Sequence, residues 1–533
     1  MTADTERSSR GAEYVLFAAV VLCVACAFFM MDYIPDDSYI SFRYAENLAN
    51  GHGLRFNLNE QPVEGYSNLL WILLCAFLHM LGFNLPDVVP TVGTLLGIFN
   101  VTLLWALYRR RGMPALQMLF PLLVLAGSGP VVMYAVSGME MPLYAFLLLL
   151  VLFSLDSVLS RGRTADYAVL VAASFMLALC RPEGMAALPI VVGAVLWLKR
   201  REASGEARWR KKLLLSLVSF AVCLGVYHIW RVTYFGEWLP TPLLSKGGGG
   251  VSLVFAWVEN LRFYFVKHMY YTPPVGYYFI ALLILSIAGL ALSRSEGGKR
   301  TTEGVAVFLV AVYALIYFNF RDWMPGMRYH SPYIAVLLLP AAQIQAPLFA
   351  AERPKRSMIS FWLVGLAVVV LNLGVLAELR VVAHISETSN QLCAVALGKW
   401  LKKTMPADAV LATSDVGAIP YYSGLETIDI HPRSLTDLYI AKNGFSIDYV
   451  VKRNPDVIIV PSRSFAVAKF YPEHFEMASD KRFDETRLLG VSRADWYDDR
   501  SYWVYVKKGF PELSDEQASA FPRGLGTLSR VYK

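Results

Sequence analysis

The chain has 533 residues, of which 56% are hydrophobic and 17% charged, with a formal net charge of +7. Soluble globular domains carry about 45–50% apolar and about 25% charged residues, so the composition excludes an ordinary soluble protein. Apolar runs near the ~20 residues that cross a bilayer recur along the sequence, and the basic excess then reads as loop charge on one membrane face rather than as a nucleic-acid surface.

In chain order, the first apolar run, Glu13 to Met31, reads as a retained membrane span rather than a cleaved signal. The loop that follows opens with Pro35-Asp36-Asp37-Ser38, residue types that start helices, and Tyr39 to Asn50 reads as a helix stopped at Gly51. Leu69 to Leu81 is apolar but short, and the next span, Val88 to Tyr108, ends in Arg109-Arg110-Arg111. The preference of basic residues for the cytoplasmic face places that triplet inside, which makes residues 69–82 an interfacial helix. Further spans are predicted at 116–136, 141–159, 165–179, 185–198, 213–234, 275–292, 305–320, 332–349 and 358–377, about eleven in all, with the N-terminus inside. Gly247 to Gly250 reads as a flexible gate in an outer loop.

From about Ala383 the character changes. Asn390 to Lys403 reads as an amphipathic helix, and Val410 to Thr413, Thr427 to Ile430, Val457 to Val460 and Tyr502 to Val506 read as strands. The expected fold class is therefore mainly α: a polytopic membrane domain over 1–382, with a first outer loop at 32–68, followed by an extracytoplasmic α/β domain over 383–533. Five of the six cysteines (Cys23, Cys26, Cys75, Cys180 and Cys223) lie in apolar segments, and Cys393 stands alone in the polar region, so no disulfide framework is expected.

Under this topology the polar side chains of interest fall on the outer face. The first loop supplies Asp36, Asp37, Arg43, Tyr44, Glu64 and Tyr66. Later loops supply Glu140, Arg181, Lys246, Arg321, Asp322, Trp323, Arg328 and His330. A carboxylate can take a proton from a hydroxyl, cations can hold a phosphate leaving group, and aromatic rings suit sugar faces. Together they suggest sugar transfer from a lipid-linked phosphate. Read singly, each residue has a plainer role. The Asp pair would cap a helix, Arg181 and Glu183 would form a local ion pair, and Arg328, His330 and Trp323 would mark the membrane interface.

The first-loop stretches Asp36 to Arg43, Gly51-His52-Gly53-Leu54 and Glu64 to Trp71 resemble the first loop of GT-C superfamily glycosyltransferases. Among these they look most like the terminal arabinofuranosyltransferases. Gly236 to Lys246, Arg321 to Gly326 and Asp415 to Tyr422 are similar to the same relatives, whereas Ile430 to Asp437 is longer than in them. The resemblance implies a polyprenyl-phosphate sugar donor, a flat juxtamembrane helix after the first loop, and inversion at the anomeric carbon. It also implies an acidic base in the first loop, Asp36 in preference to Asp37. The expected acceptor is an extracytoplasmic glycan or protein, the expected sugar D-arabinofuranose, and the expected location the periplasmic face of a bacterial inner membrane. A divalent ion (Mg, Mn or Ca) at Asp36 and Asp37 is left open. The rival readings are a transporter or flippase for a lipid-linked sugar, and a membrane anchor that displays the outer domain.

Overall fold

Within the described residues, each predicted span falls on helix. In this computed structural model, the described residues are 3–31, 33–199, 207–246, 273–293, 297–317, 324–349, 355–463, 486–493, 500–507 and 521. Among them, the helical stretches Arg10–Met30, Leu85–Arg110, Met141–Ser160, Trp209–Phe235 and Phe361–Thr404 are long and apolar enough to cross a membrane. Shorter apolar helices lie at Leu69–Met80, Thr164–Cys180, Pro182–Leu198, Tyr278–Leu292 and Tyr333–Gln345.

Two predicted elements differ from what is observed. The single span expected at 116–136 is instead the pair Ala115–Ala126 and Gly129–Val136, bent by 50°. Gly127-Ser128-Gly129-Pro130 supplies the break, because proline offers no N–H to continue the helical ladder. The expected separation between the last span and the helix at 390–403 is absent. Helix Lys355–Asn390 runs through one π-helical turn, Gln391–Val395, into Ala396–Thr404. No Gly or Pro occurs between Val375 and Val395 to stop it.

The chain packs into two units: Met1–Met31, Asp87–His228 and Val251–Val381 form one, and Asp32–Pro86, Ile229–Gly250 and Val382–Lys533 form the other. In the first unit, helices approach closely at small residues. A Cβ on Gly93 would sit 1.7 Å from the Ala135 carbonyl oxygen, so only glycine fits there.

The second unit is built around a five-stranded sheet: β1 Val410–Thr413, β2 Glu426–Asp429, β3 Val457–Arg463, β4 Thr486–Arg493 and β5 Arg500–Lys507, in the order β2-β1-β3-β5-β4. β1 is parallel to β2 and β3, and β5 is antiparallel to β3 and β4. β1 and the first half of β3, Val457 to Val460, read as near-continuous apolar runs, as expected of strands covered on both faces, whereas β2 is mostly polar. Their core is Ala412, Ile428, Ile430, Ile440, Val450, Ile458 and Val460.

Candidate active site

The first loop folds as helix Asp36–Ala49. Pro35, in extended conformation, precedes it, and Asp36 and Asp37 stand in its first turn, where carboxylates favour the helix dipole. Gly51, at φ 82°, takes the left-handed conformation that ends it. The N-cap position belongs to Pro35, which has no polar side chain to cap the helix. Asp36 instead reaches the start of another: its Oδ1 accepts from the Ala418 N–H at 2.7 Å and its Oδ2 from the Gly417 N–H at 3.1 Å. Both aspartates are half-buried.

Arg43 was expected to bind substrate, but its donors are engaged within the protein. Nε donates to the Phe56 carbonyl at 2.8 Å, Nη1 to Pro420 O at 2.7 Å, and Nη2 to Leu425 O at 2.8 Å and Asn57 Oδ1 at 3.4 Å. Burial lowers its basicity to about 10, and the guanidinium lies 4.4 Å from the centre of the Phe56 ring. It acts as a strut. Tyr44 is another, donating to Val63 O at 2.6 Å and accepting from the Gly65 N–H at 3.0 Å. The Tyr66 ring meets Tyr44 edge-on at 4.9 Å.

Glu64 is buried and paired with Arg231, whose Nη1 also donates to the Trp238 carbonyl at 2.9 Å. Burial outweighs the pull of Arg231 and pushes the Glu64 carboxyl up to about 7. The Thr241 N–H donates to the Glu64 carbonyl at 3.1 Å, so the segment that ends at Lys246, the last residue of helix Thr241–Lys246, is tied to the first loop. The extra length after Asp429 also finds a place. The His431, Leu435 and Thr436 N–H groups donate to the Asp429 carboxylate at 3.1, 2.7 and 3.1 Å. Burial raises this acid above its usual range against the pull of His431 and those donors.

In the helical unit, three of the predicted residues come together, Glu140 with Arg181 directly and Arg328 through Tyr329. Buried Arg181 is paired with both Glu140 and Glu183, and its guanidinium lies 5.1 Å from the centre of the Tyr329 ring. Arg328 donates to the Tyr329 hydroxyl at 2.6 Å, and the His330 ring stands edge-on to Phe279 at 5.1 Å. The local ion pair anticipated for Arg181 and Glu183 is thus present, extended by Glu140. Arg321, Asp322, Trp323 and the Gly247 to Gly250 patch lie outside the described residues.

Sequence reading missed Arg231 and Gly417. The arginine sits near the end of an apolar helix, 167 residues from its partner, and the glycine contributes only a backbone group. Among the described residues, no three His, Cys, Asp or Glu side chains gather as a metal site, and both Asp36 oxygens accept N–H donors. No step below uses a divalent ion.

Taken together, these features define a multi-pass membrane protein with the GT-C fold and an α/β segment at its C-terminal end. The fold is similar to ArnT from Cupriavidus metallidurans bound to undecaprenyl phosphate, at 14% identity and a TM-score of 0.53, over 92% of this chain and 97% of that one. It is also similar to the arabinofuranosyltransferase AftD from Mycobacteria, at 14% identity and a TM-score of 0.51, over 93% of this chain and 40% of that one. In sequence, the chain is 25% identical over 409 residues to a terminal beta-(1->2)-arabinofuranosyltransferase of Corynebacterium glutamicum. That match covers 67% of this chain and spans 55% of the curated relative. Residues 381–505 match a family model described as a domain of unknown function (DUF8728).

Proposed function

We propose that the chain is an inverting membrane glycosyltransferase. It moves a sugar, arabinofuranose, from a polyprenyl-phosphate donor to an extracytoplasmic glycan or protein acceptor. The observation that carries this reading is the acidic first turn of helix Asp36–Ala49, in which one of two adjacent carboxylates is held by backbone donors. The sequence likeness to an arabinofuranosyltransferase supports the choice of sugar, and the GT-C fold supports the lipid-linked donor. We place the acidic turn on the periplasmic side of a bacterial inner membrane.

In the reaction, the acceptor hydroxyl oxygen bonds to the anomeric carbon as the bond from that carbon to the phosphate oxygen breaks. The electron pair leaves with the polyprenyl phosphate, and the hydroxyl proton passes to a carboxylate. We assign that proton to Asp37 rather than Asp36. Protonating Asp36 would set an O–H against two N–H donors that already point at its oxygens. Cations on the chain neutralise the departing phosphate, and Lys246, in the same unit as the acidic turn, is the assigned candidate. Arg181, lying between two carboxylates, is assigned to shaping the protein rather than to binding the donor.

The test is transfer from a short-chain polyprenyl-phosphoryl arabinofuranose in membranes that carry the full chain. Asp37→Asn is expected to lower the rate on the order of 10²–10⁴-fold. Wild-type activity in that variant would remove the assigned base. Uptake of the lipid into vesicles with no glycosylated product would point to a carrier instead.

A further inference from the structure

We propose that the segment Asp415 to Leu425, which lies inside the domain of unknown function, is the positioning element of the first-loop carboxylates; this rests on the reading that those carboxylates run sugar transfer. Three residues of helix Asp36–Ala49, at i, i+3 and i+7, share one helical face and meet this segment. Asp36 accepts from the Gly417 and Ala418 N–H groups. The Tyr39 ring packs 5.4 Å from Tyr421 and 5.5 Å from Tyr422. Arg43 donates to the carbonyls of Pro420 and Leu425. The helix is therefore fastened along its first two turns, from Asp36 to Arg43.

The segment is itself fixed by the sheet. It leaves the C-terminal end of β1, where the Asp415 N–H donates to Thr413 Oγ1 at 3.3 Å. The Asp415 carboxylate accepts from the Tyr502 hydroxyl on β5 at 2.6 Å. Open parallel sheets receive ligands at the carboxyl ends of their strands. Here that place is taken by the chain's own Asp36. The fit admits no side chain at position 417: a Cβ there would lie 2.1 Å from the Asp36 carbonyl oxygen and 2.4 Å from its Cγ and Oδ2. Gly417 and Ala418 thus act through Asp36, which sets where Asp37, the next residue along, presents its carboxylate.

The test uses the full chain in lipid nanodiscs, the same arabinofuranose donor, and the variants Gly417→Ala, Asp36→Asn and their combination. A misplacement of about 1 Å costs on the order of 10²-fold in rate, so each single variant is expected to lose about that much kcat with KM for the donor unchanged. The double variant is expected to be no slower than the slower single, because both changes cut one link. Hydrogen exchange over 36–49 and 415–423 is expected to rise in both singles. Wild-type kcat in Gly417→Ala, multiplying losses in the double variant, or unchanged exchange in Asp36→Asn would each overturn the proposal. A wild-type chain inert towards the donor, with faster exchange in both variants, would bring down the transferase reading while upholding the latch.

Discussion

Asn57 pairs with the backbone of Thr427 as though it were another strand residue. Its Nδ2 donates to the Thr427 carbonyl at 2.8 Å, and its Oδ1 accepts the Thr427 N–H at 3.0 Å. Thr427 lies on β2, which stands at one edge of the sheet, where backbone groups otherwise lack partners. Asn57→Ala would leave two buried backbone groups unsatisfied. A loss of about 1–3 kcal/mol in stability is expected, read as a lowered melting temperature in detergent.

Arg43 separates two roles that a kinetic experiment can tell apart. As a strut, its planar fork serves three carbonyls, a geometry that the single ammonium of lysine does not reproduce. Arg43→Lys is expected to lower the melting temperature markedly while leaving KM for the lipid donor unchanged in the fraction that stays folded. A raised KM at an unaltered melting temperature would return Arg43 to the substrate.

Glu64 carries a pH dependence whose sign follows from burial. Its folded value, about 7, lies above the ordinary 4.5, so the folded chain holds a proton that the unfolded chain has released. This contribution to stability is complete below about pH 4.5 and is lost as pH rises through about 7. Thermal midpoints measured between those limits should fall with rising pH in the wild type. They should fall less in Glu64→Gln, which keeps the shape and removes the titration.

Arg181 stands between two buried acids in the helical unit. Arg181→Met would leave Glu140 and Glu183 without their cation, at a cost of about 3–5 kcal/mol. Combining it with Glu140→Gln and Glu183→Gln should recover most of that loss. Melting temperatures of the single and triple variants measure both effects.

How much of this could be read from residues alone depended on whether the signal was local. Val410–Thr413 shows as a strand because four apolar or β-branched residues follow one another between turn formers, and helix Asp36–Ala49 shows through its acidic start and its glycine stop. β4 has no such pattern. Leu488, Leu489 and Gly490 interrupt its alternation, and a bulge between Leu488 and Gly490 absorbs the irregularity. The first-loop acids stood out because adjacent carboxylates are costly beside a membrane. What holds Asp36 did not, because the donors are main-chain N–H groups with no residue type of their own. The internal partners of Arg43 were illegible for a different reason: a cation that binds phosphate and a cation that ties carbonyls together have the same letter.

The contact between Asp36 and Gly417 joins residues 381 apart in sequence. During synthesis the acidic turn emerges early, but its backbone donors are translated only after nearly all the apolar helices. At about 5–20 residues per second the ribosome needs on the order of 20–80 s to reach them. A nascent chain stalled before residue 417 would already sit in the bilayer with helix Asp36–Ala49 unfastened. On the proposed function, sugar transfer would begin only once the segment at 415–425 has been made and folded.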